Sequence, residues 1–263
     1  MKKFVFAVIF LAVLSVSGLY AAGFFTTIDG GYTQASMSQV NSAIIGNDSG
    51  PGINNTQLGA GAYFGIDGMY LTKENLGFHL KFEYVSISTG QIQYNNGVPG
   101  TDFTYGDIEV DPYMVPLMVG VSYTLHTKGS PFSLTAGLYG GIAPAYLYYR
   151  QHTIDPVTTD QYYGDLEYDE MYDGLGFCSE GMLSANYWFT KNFSLGVEFG
   201  YRYANISKMT AEGDAYDNAG NFMVGSGQPL QDGNGNNVGV DFSGINVGVN
   251  LVYHFGWVAY EEY

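Results

Sequence analysis

The sequence predicts an all-β fold: an eight-stranded antiparallel up-and-down transmembrane β-barrel with four long extracellular loops and three short periplasmic turns. Three observations carry that expectation. The N-terminus has the form of an export signal, apolar residues alternate with polar ones at a period of two, and short connections alternate with long ones.

Lys2 and Lys3 precede an apolar run from Phe4 to Val16, followed by small residues reaching Ala21 and Ala22. A spanning helix needs about 20 apolar residues. The run is shorter, so residues 1–21 are expected to be a secretory signal peptide and residues 22–263 an outer-membrane β-barrel domain. Cys178 is the only cysteine, which excludes an intramolecular disulfide framework and a lipid-bearing cysteine at the cleavage point. Without Lys2 and Lys3 the chain has 7 basic and 25 acidic residues, so its net charge is 7 − 25 = −18, which argues against a nucleic-acid partner. Aromatic residues make up 16% of the chain and 37 residues are glycine, yet only 13% are charged. A barrel wall in lipid requires that mixture: apolar outward side chains and aromatic girdles, with glycine where a narrow interior must admit a neighbour's side chain.

Strands are expected at 24–33, 57–71, 76–89, 111–125, 132–149, 175–189, 193–207 and 241–255. The last shows the alternation most clearly, with Ile245, Val247, Val249, Leu251, Tyr253 and Phe255 on one face. The seventh puts Phe193, Leu195, Val197, Phe199, Tyr201 and Tyr203 outward. Short polar turns, each with one lysine, fall at Thr72–Asn75, His126–Pro131 and Thr190–Asn192, whereas 34–56, 90–110, 150–174 and 208–240 are long. With both termini in the periplasm, the turns lie there and the long loops outside. Pro116 and Pro144 fall within expected strands and predict bulges or earlier strand ends, because proline removes a ladder hydrogen bond. Residues 256–263 overrun the expected end of the barrel.

Parity encloses Asp29, Asp67, His79, Lys81, Glu83, Glu180, Glu198, Arg202 and His254. Buried charges are tolerated when paired, so Lys81 and Arg202 are expected to bridge carboxylates across the interior as an inert polar plug, with a proton or cation path as the alternative. Eight strands leave room for little more than side chains, which argues against an open pore. Nearer the long loops, Val85, Ile87, Met114, Met118, Ala143, Ala204 and Ile206 form a candidate apolar cup for a small hydrophobic ligand; packing beneath collapsed loops is the competing reading.

Most acids fall in the long loops, where divalent cations are the natural partners. Asp232, Asn234 and Asn236 have the spacing that opens a calcium loop, but Ser243 stands where the closing glutamate belongs, so solvated surface charge is the better reading. Interleaved Tyr162, Tyr163, Tyr168 and Tyr172 suit either a contact surface or packing on one another. Catalytic and cofactor motifs are not found. Gly59, Gly61 and Gly65 miss the dinucleotide spacing, His152 with Thr153 and Asp155 has no matching serine pair, and Cys178 points inward as small packing. No enzyme activity, cofactor or metal centre is expected.

Two segments look like those of small bacterial outer-membrane barrels. Pro116-Leu117-Met118-Val119-Gly120-Val121-Ser122-Tyr123 is similar to their fourth strand, and Leu138-Tyr139-Gly140-Gly141-Ile142-Ala143-Pro144-Ala145-Tyr146 to their fifth. The chain thus resembles the OmpW, OmpX and OmpA-barrel proteins. That resemblance implies the bacterial outer membrane as location, with membrane lipid and lipopolysaccharide as partners. The leading functional expectation is a non-enzymatic surface barrel, envelope-stabilising or adhesive through its acidic loops. An OmpW-like role in binding or passing small hydrophobic molecules is the alternative.

Overall fold

A computed structural model describes residues 21–45, 53–72, 75–96, 104–126, 130–155, 163–218, 220–232 and 234–255. Residues 1–20 of the expected signal peptide, parts of two expected short turns and the tail after Phe255 lie outside the described residues.

Strands dominate. They are β1 (Ala21–Ala35), β2 (Ile53–Thr56), β3 (Ala60–Thr72), β4 (Leu76–Ile87), β5 (Gly90–Asn96), β6 (Thr104–Met114), β7 (Leu117–His126), β8 (Phe132–Asp155), β9 (Tyr163–Trp188), β10 (Phe193–Ile206), β11 (Thr210–Ala211), β12 (Ala215–Tyr216), β13 (Phe222–Val224), β14 (Val240–Asp241) and β15 (Gly244–Phe255). All pairings are antiparallel. β1 lies between β15 and β3, β3 pairs with β4, and β4 with β7 and the end of β6. β7 pairs with β8, β8 with β9, β9 with β10 and β10 with β15. Followed from neighbour to neighbour, these pairings lead back to β1.

The period-two pattern explains the two faces. In β10, burial alternates along the whole strand: Phe193, Leu195, Val197, Phe199, Tyr201 and Tyr203 are exposed, while Ser194, Glu198 and Arg202 are buried. Water would penalise such an apolar exterior, and lipid would not. From Phe193 to Tyr203, a rise of about 3.3 Å per residue and a tilt of about 40° give an apolar band about 25 Å tall. Aromatic contacts bound it at both ends. At the turn end they are Phe24–Tyr70 (5.3 Å), Phe132–Tyr187 (5.1 Å) and Phe193–Tyr253 (4.8 Å). At the other end Tyr84, Tyr113 and Tyr146 follow at 5.8 and 4.9 Å.

Three expectations change. Residues 150–155 and 163–174 are not loop: they continue β8 and β9, whose ladder runs from Phe132↔Tyr187 to Asp155↔Tyr163. Residues 90–96 and 104–110 likewise pair as β5 and β6. Past the tyrosines the outward side chains turn polar, so the hydropathy pattern fades while the ladder continues. Cross-strand charge takes over there, with Arg150 on β8 contacting Glu109 on β6 at 2.7 Å and Asp169 on β9 at 3.3 Å.

The two prolines differ: at Pro116 the expected strand end is seen, between β6 and β7, whereas Pro144 neither ends nor bulges its strand. Phe82↔Leu117 and Val85↔Met114 share one register across the break at Val115-Pro116, so no residue is inserted there. Pro144 stays within β8 opposite Leu175. Both prolines keep their carbonyls in the ladder, accepting from the Glu83 amide (3.1 Å) and the Val115 amide (2.9 Å) respectively. Each therefore removes one donor without shifting register.

Candidate functional site

The interior has three layers. At mid-height lies a charged centre drawn from β1, β4, β9 and β10. The Lys81 ammonium is 2.7 Å from Glu83, 3.3 Å from Asp29 and 3.4 Å from Glu180. Arg202 donates to Glu83 and, at 3.2 Å, to Glu180. Both cations are fully buried, Arg202 stacks over Tyr63 and Lys81 over Tyr139. Glu198 accepts from the Tyr63 hydroxyl (2.5 Å) and the Asn250 amide (3.3 Å). Three carboxylates, Asp29, Glu83 and Glu180, thus contact the two cations, and each cation has more than one partner.

Toward the turn end, His79 joins Asp67 through Nδ1 (2.7 Å) and Ser122 through Nε2 (2.7 Å). The Tyr139 hydroxyl lies 3.3 Å from both Asp67 Oδ2 and His79 Nδ1. This row has the connectivity of a hydrolytic triad. Ser122, however, sits in the wall, opposite Gly77 on β4 and Gly137 on β7's other neighbour, β8. Below it lies a cavity of about 50 Å³, lined by Asp29, Asp67, His79, Asn186, Glu198 and Asn250 among others and reaching Phe25, His126 and Trp188. His254 stacks on Phe25 at 4.4 Å beside this lower end. All nine enclosed residues expected from parity are buried, eight of them around the centre and cavity, with His254 at the rim.

For the upper layer the sequence left two readings, an apolar cup and packing beneath the connections. Val85, Ile87, Met114, Met118, Ala143, Ala204 and Ile206 do face inward together, but they do not line an open cup. Met37, Val40 and Ile45 from the β1–β2 connection, Met209, Leu230 and Val238 from the β10–β15 connection, and Phe242 fill the space, and all are buried in one cluster with the seven. Two short helical turns, Ser38–Val40 and Asn41–Ile45, deliver Val40 and Ile45, with Met37 just before them. Asn41 holds that segment to Leu58 by two hydrogen bonds, 2.8 Å from its side-chain amide to the Leu58 carbonyl and 2.9 Å from the Leu58 amide to its oxygen. Met37 adopts φ 48°, a left-handed conformation that a side chain of this size takes only when packing holds it. Cys178 lies in the same layer, its thiol 3.7 Å from the Met118 sulfur.

Among the long-loop acids, the Asp232 carboxylate closes a turn by accepting from the Asn234 and Asn236 amides (2.9 and 2.8 Å) and the Asn236 side chain (3.0 Å). Those bonds, led by the Asn236 side chain and amide, hold its carboxyl below the usual aspartate value. Asp102, Asp160 and Tyr162 lie outside the described residues. No group of three or more histidine, cysteine, aspartate or glutamate residues is arranged to hold a metal ion among the described residues.

Tyr63, Tyr139, Ser122, Asn186 and Asn250 complete the interior and were not singled out from sequence. Their parity was readable; attention to formal charge alone passed over them.

No family model and no curated protein matches the chain. Among solved structures, the outer membrane protein OprG from Pseudomonas aeruginosa is 14% identical, with 90% of this chain and 98% of that chain covered and a TM-score of 0.41. Neisserial surface protein A is 13% identical over 89% and 99%, with a TM-score of 0.42. The outer membrane protease OmpT from Escherichia coli is 10% identical over 89% and 97%, with a TM-score of 0.43. These structural neighbours are small outer-membrane β-barrel proteins.

Proposed function

We propose that the chain is an eight-stranded barrel of the bacterial outer membrane, sealed to passage, whose raised acidic hairpins form a contact surface in an envelope-stabilising or adhesive role. The observation that carries this reading is the β8–β9 ladder. It continues well past the tyrosine girdle to Asp155↔Tyr163, braced by Arg150 between Glu109 and Asp169. A continuous ladder is a stiff platform, whereas a flexible loop loses entropy on every contact. The platform is acidic, and Tyr168 and Tyr172, whose hydroxyls lie 3.3 Å apart, are buried within it and belong to its packing rather than to its surface. Short turns face the periplasm in this reading and the hairpins face outward, where divalent cations and lipopolysaccharide are within their reach.

Sealing rests on the ion-paired centre below and the apolar stopper above. The stopper also speaks against conduction of small hydrophobic molecules, which would require Met37, Val40 and Phe242 to leave together. We read Asp67-His79-Ser122 as a fixed relay rather than a nucleophilic site, because Ser122 is buried between His79 and Met69 and is not among the residues that line the lower cavity. The test replaces residues 151–168 with a two-residue turn in cells displaying the protein. Loss of adhesion or of detergent resistance at unchanged barrel abundance is expected; both properties intact would refute the platform role.

A further inference from the structure

The hairpin β12–β13, in the β10–β15 connection, shows apolar side chains to water rather than to lipid. Tyr216, Phe222 and Met223 are each about half exposed, and none belongs to the wall. Their height follows from the register. Tyr146 of the upper girdle lies opposite Asp173 on β9. From Thr210, opposite Asp173, the chain climbs beside β9, the Glu212 amide donating to the Met171 carbonyl (2.9 Å) and the Asn218 amide to the Glu167 carbonyl (3.1 Å). At about 3.3 Å per residue and a tilt of about 40°, that climb puts the rings about 10–15 Å above the girdle.

The hairpin is held in place on one face and open on the other. Ala215 is buried and its partner Val224 packs on the stopper. Asp217 closes the turn by accepting from the Asn221 amide (2.7 Å) and side chain (2.8 Å). On the open face Tyr216 and Phe222 pair edge to face, with ring centroids 5.8 Å apart. Burial alternates from Ala211 to Asp217, so Glu212 and Asp214 share the exposed side with Tyr216. The Ser226 amide fixes Asp214 at 2.8 Å. Rings ordered in this way lose little further entropy on contact.

Rings beside carboxylates suit a guanidinium, and the same raised sheet contains one so held. Arg150 lies 5.4 Å over the Tyr148 ring and bridges Glu109 and Asp169. The hairpin has no such cation of its own. Neither lysine nor arginine occurs from Met209 to Tyr263, or between Arg150 and Lys191 along β9. Lys208 stands at the foot of the hairpin, beside Gly174.

We infer that the hairpin docks a basic protein segment through arginine, whose guanidinium stacks on the Tyr216–Phe222 pair and pairs with Glu212 and Asp214. The inference rests on the reading of the raised hairpins as a contact surface. Arginine fits better than lysine, because its planar fork stacks on a ring and meets a carboxylate with two hydrogen bonds, whereas an ammonium keeps its water. Charge selects against other occupants. Phosphates at the membrane surface carry the hairpin's own sign, and so does a second copy of this acidic chain.

The test compares two peptides of equal length and charge, an Arg-Ser repeat and a Lys-Ser repeat, binding to the barrel in phosphatidylcholine nanodiscs at physiological salt. The arginine peptide is expected to bind about tenfold more tightly. Tyr216→Ser combined with Phe222→Ser should bring the two peptides to equal affinity, and Glu212→Gln combined with Asp214→Asn should weaken both. Equal binding of the peptides to the parent, no binding of either, or a preference that survives loss of the rings would overturn the inference. If the ring variant does not fold, the carboxylate variant decides: unweakened binding refutes the site. Capture of lipopolysaccharide vesicles that the ring variant abolishes would assign the hairpin to the membrane and refute it equally. None of these failures touches the platform reading, which is tested by removing residues 151–168 and read by adhesion and detergent resistance.

Discussion

Replacing Arg202 with methionine isolates the charged centre. The guanidinium is fully buried and donates to both Glu83 and Glu180, and Arg202→Met leaves those carboxylates to Lys81, which already serves Asp29. Stranding a buried partner costs about 3–5 kcal/mol. Lys81 remains 2.7 Å from Glu83 and 3.4 Å from Glu180, so the loss falls at the lower end, about 3 kcal/mol. That is about a hundredfold in the folding equilibrium. The assay is reversible urea unfolding in lipid or detergent, followed by tryptophan fluorescence. Adding Glu83→Gln to Arg202→Met removes one stranded charge and should restore about half of the loss, because the penalty lies in the uncompensated carboxylate rather than in the missing contact. A single variant within about 1 kcal/mol of the parent, or a double variant less stable than the single, would refute this account.

Other outcomes follow from the upper layer, the relay and the surface. Phe242→Ala empties part of the stopper and should cost about 3–5 kcal/mol in the same unfolding experiment; it should also raise amide exchange across residues 37–45. Ser122→Ala should leave lipid A and phospholipid profiles unchanged by mass spectrometry, and a changed profile would establish catalysis. The depressed Asp232 carboxyl supports its turn above its unfolded value of about 3.8, and that support is lost as pH falls through the lower folded value. Amide exchange at Asn234 and Asn236 should accelerate below about pH 4 and be insensitive to pH in Asp232→Asn, after correction for intrinsic rates. Arg150 is partly exposed, so Arg150→Ala should cost under about 1 kcal/mol while loosening the outer β8–β9 ladder in exchange measurements.

Period two was sufficient to find the wall and the facing of the nine enclosed residues it named, because inward and outward positions differ in a property the sequence displays directly; Glu170 and Asp217, buried but expected in loops, escaped it. The pairing of Lys81 and Arg202 with carboxylates from other strands follows from the same parity together with the cost of isolated charge. The ends of β8 and β9 were not legible. Beyond Tyr148 the ladder is kept by backbone bonds and by Glu109-Arg150-Asp169, and neither raises a hydropathy alternation. The stopper was hidden for a different reason: Met37, Val40 and Ile45 belong to a connection, and nothing local shows that its apolar residues turn inward rather than outward. Only the shape of the space above Met118 decides that. The side-chain oxygens of Asn186 and Asn250 meet over Gly196 from two separate strands, an approach that depends on register between strands distant in sequence.

The charged centre also sets conditions on assembly. Lys81 and Glu83 belong to one early strand, yet Glu180 lies 99 residues beyond Lys81 and Arg202 lies 119 beyond Glu83. Asp29 comes from the first strand, which completes the circuit by pairing with the last. A partly built sheet therefore leaves Lys81 and Glu83 without Glu180 and Arg202, and buried charge is tolerated only when paired. The centre thus ties the pairing of these charges to closure of the circuit, since its contacts need strands from both ends of the chain.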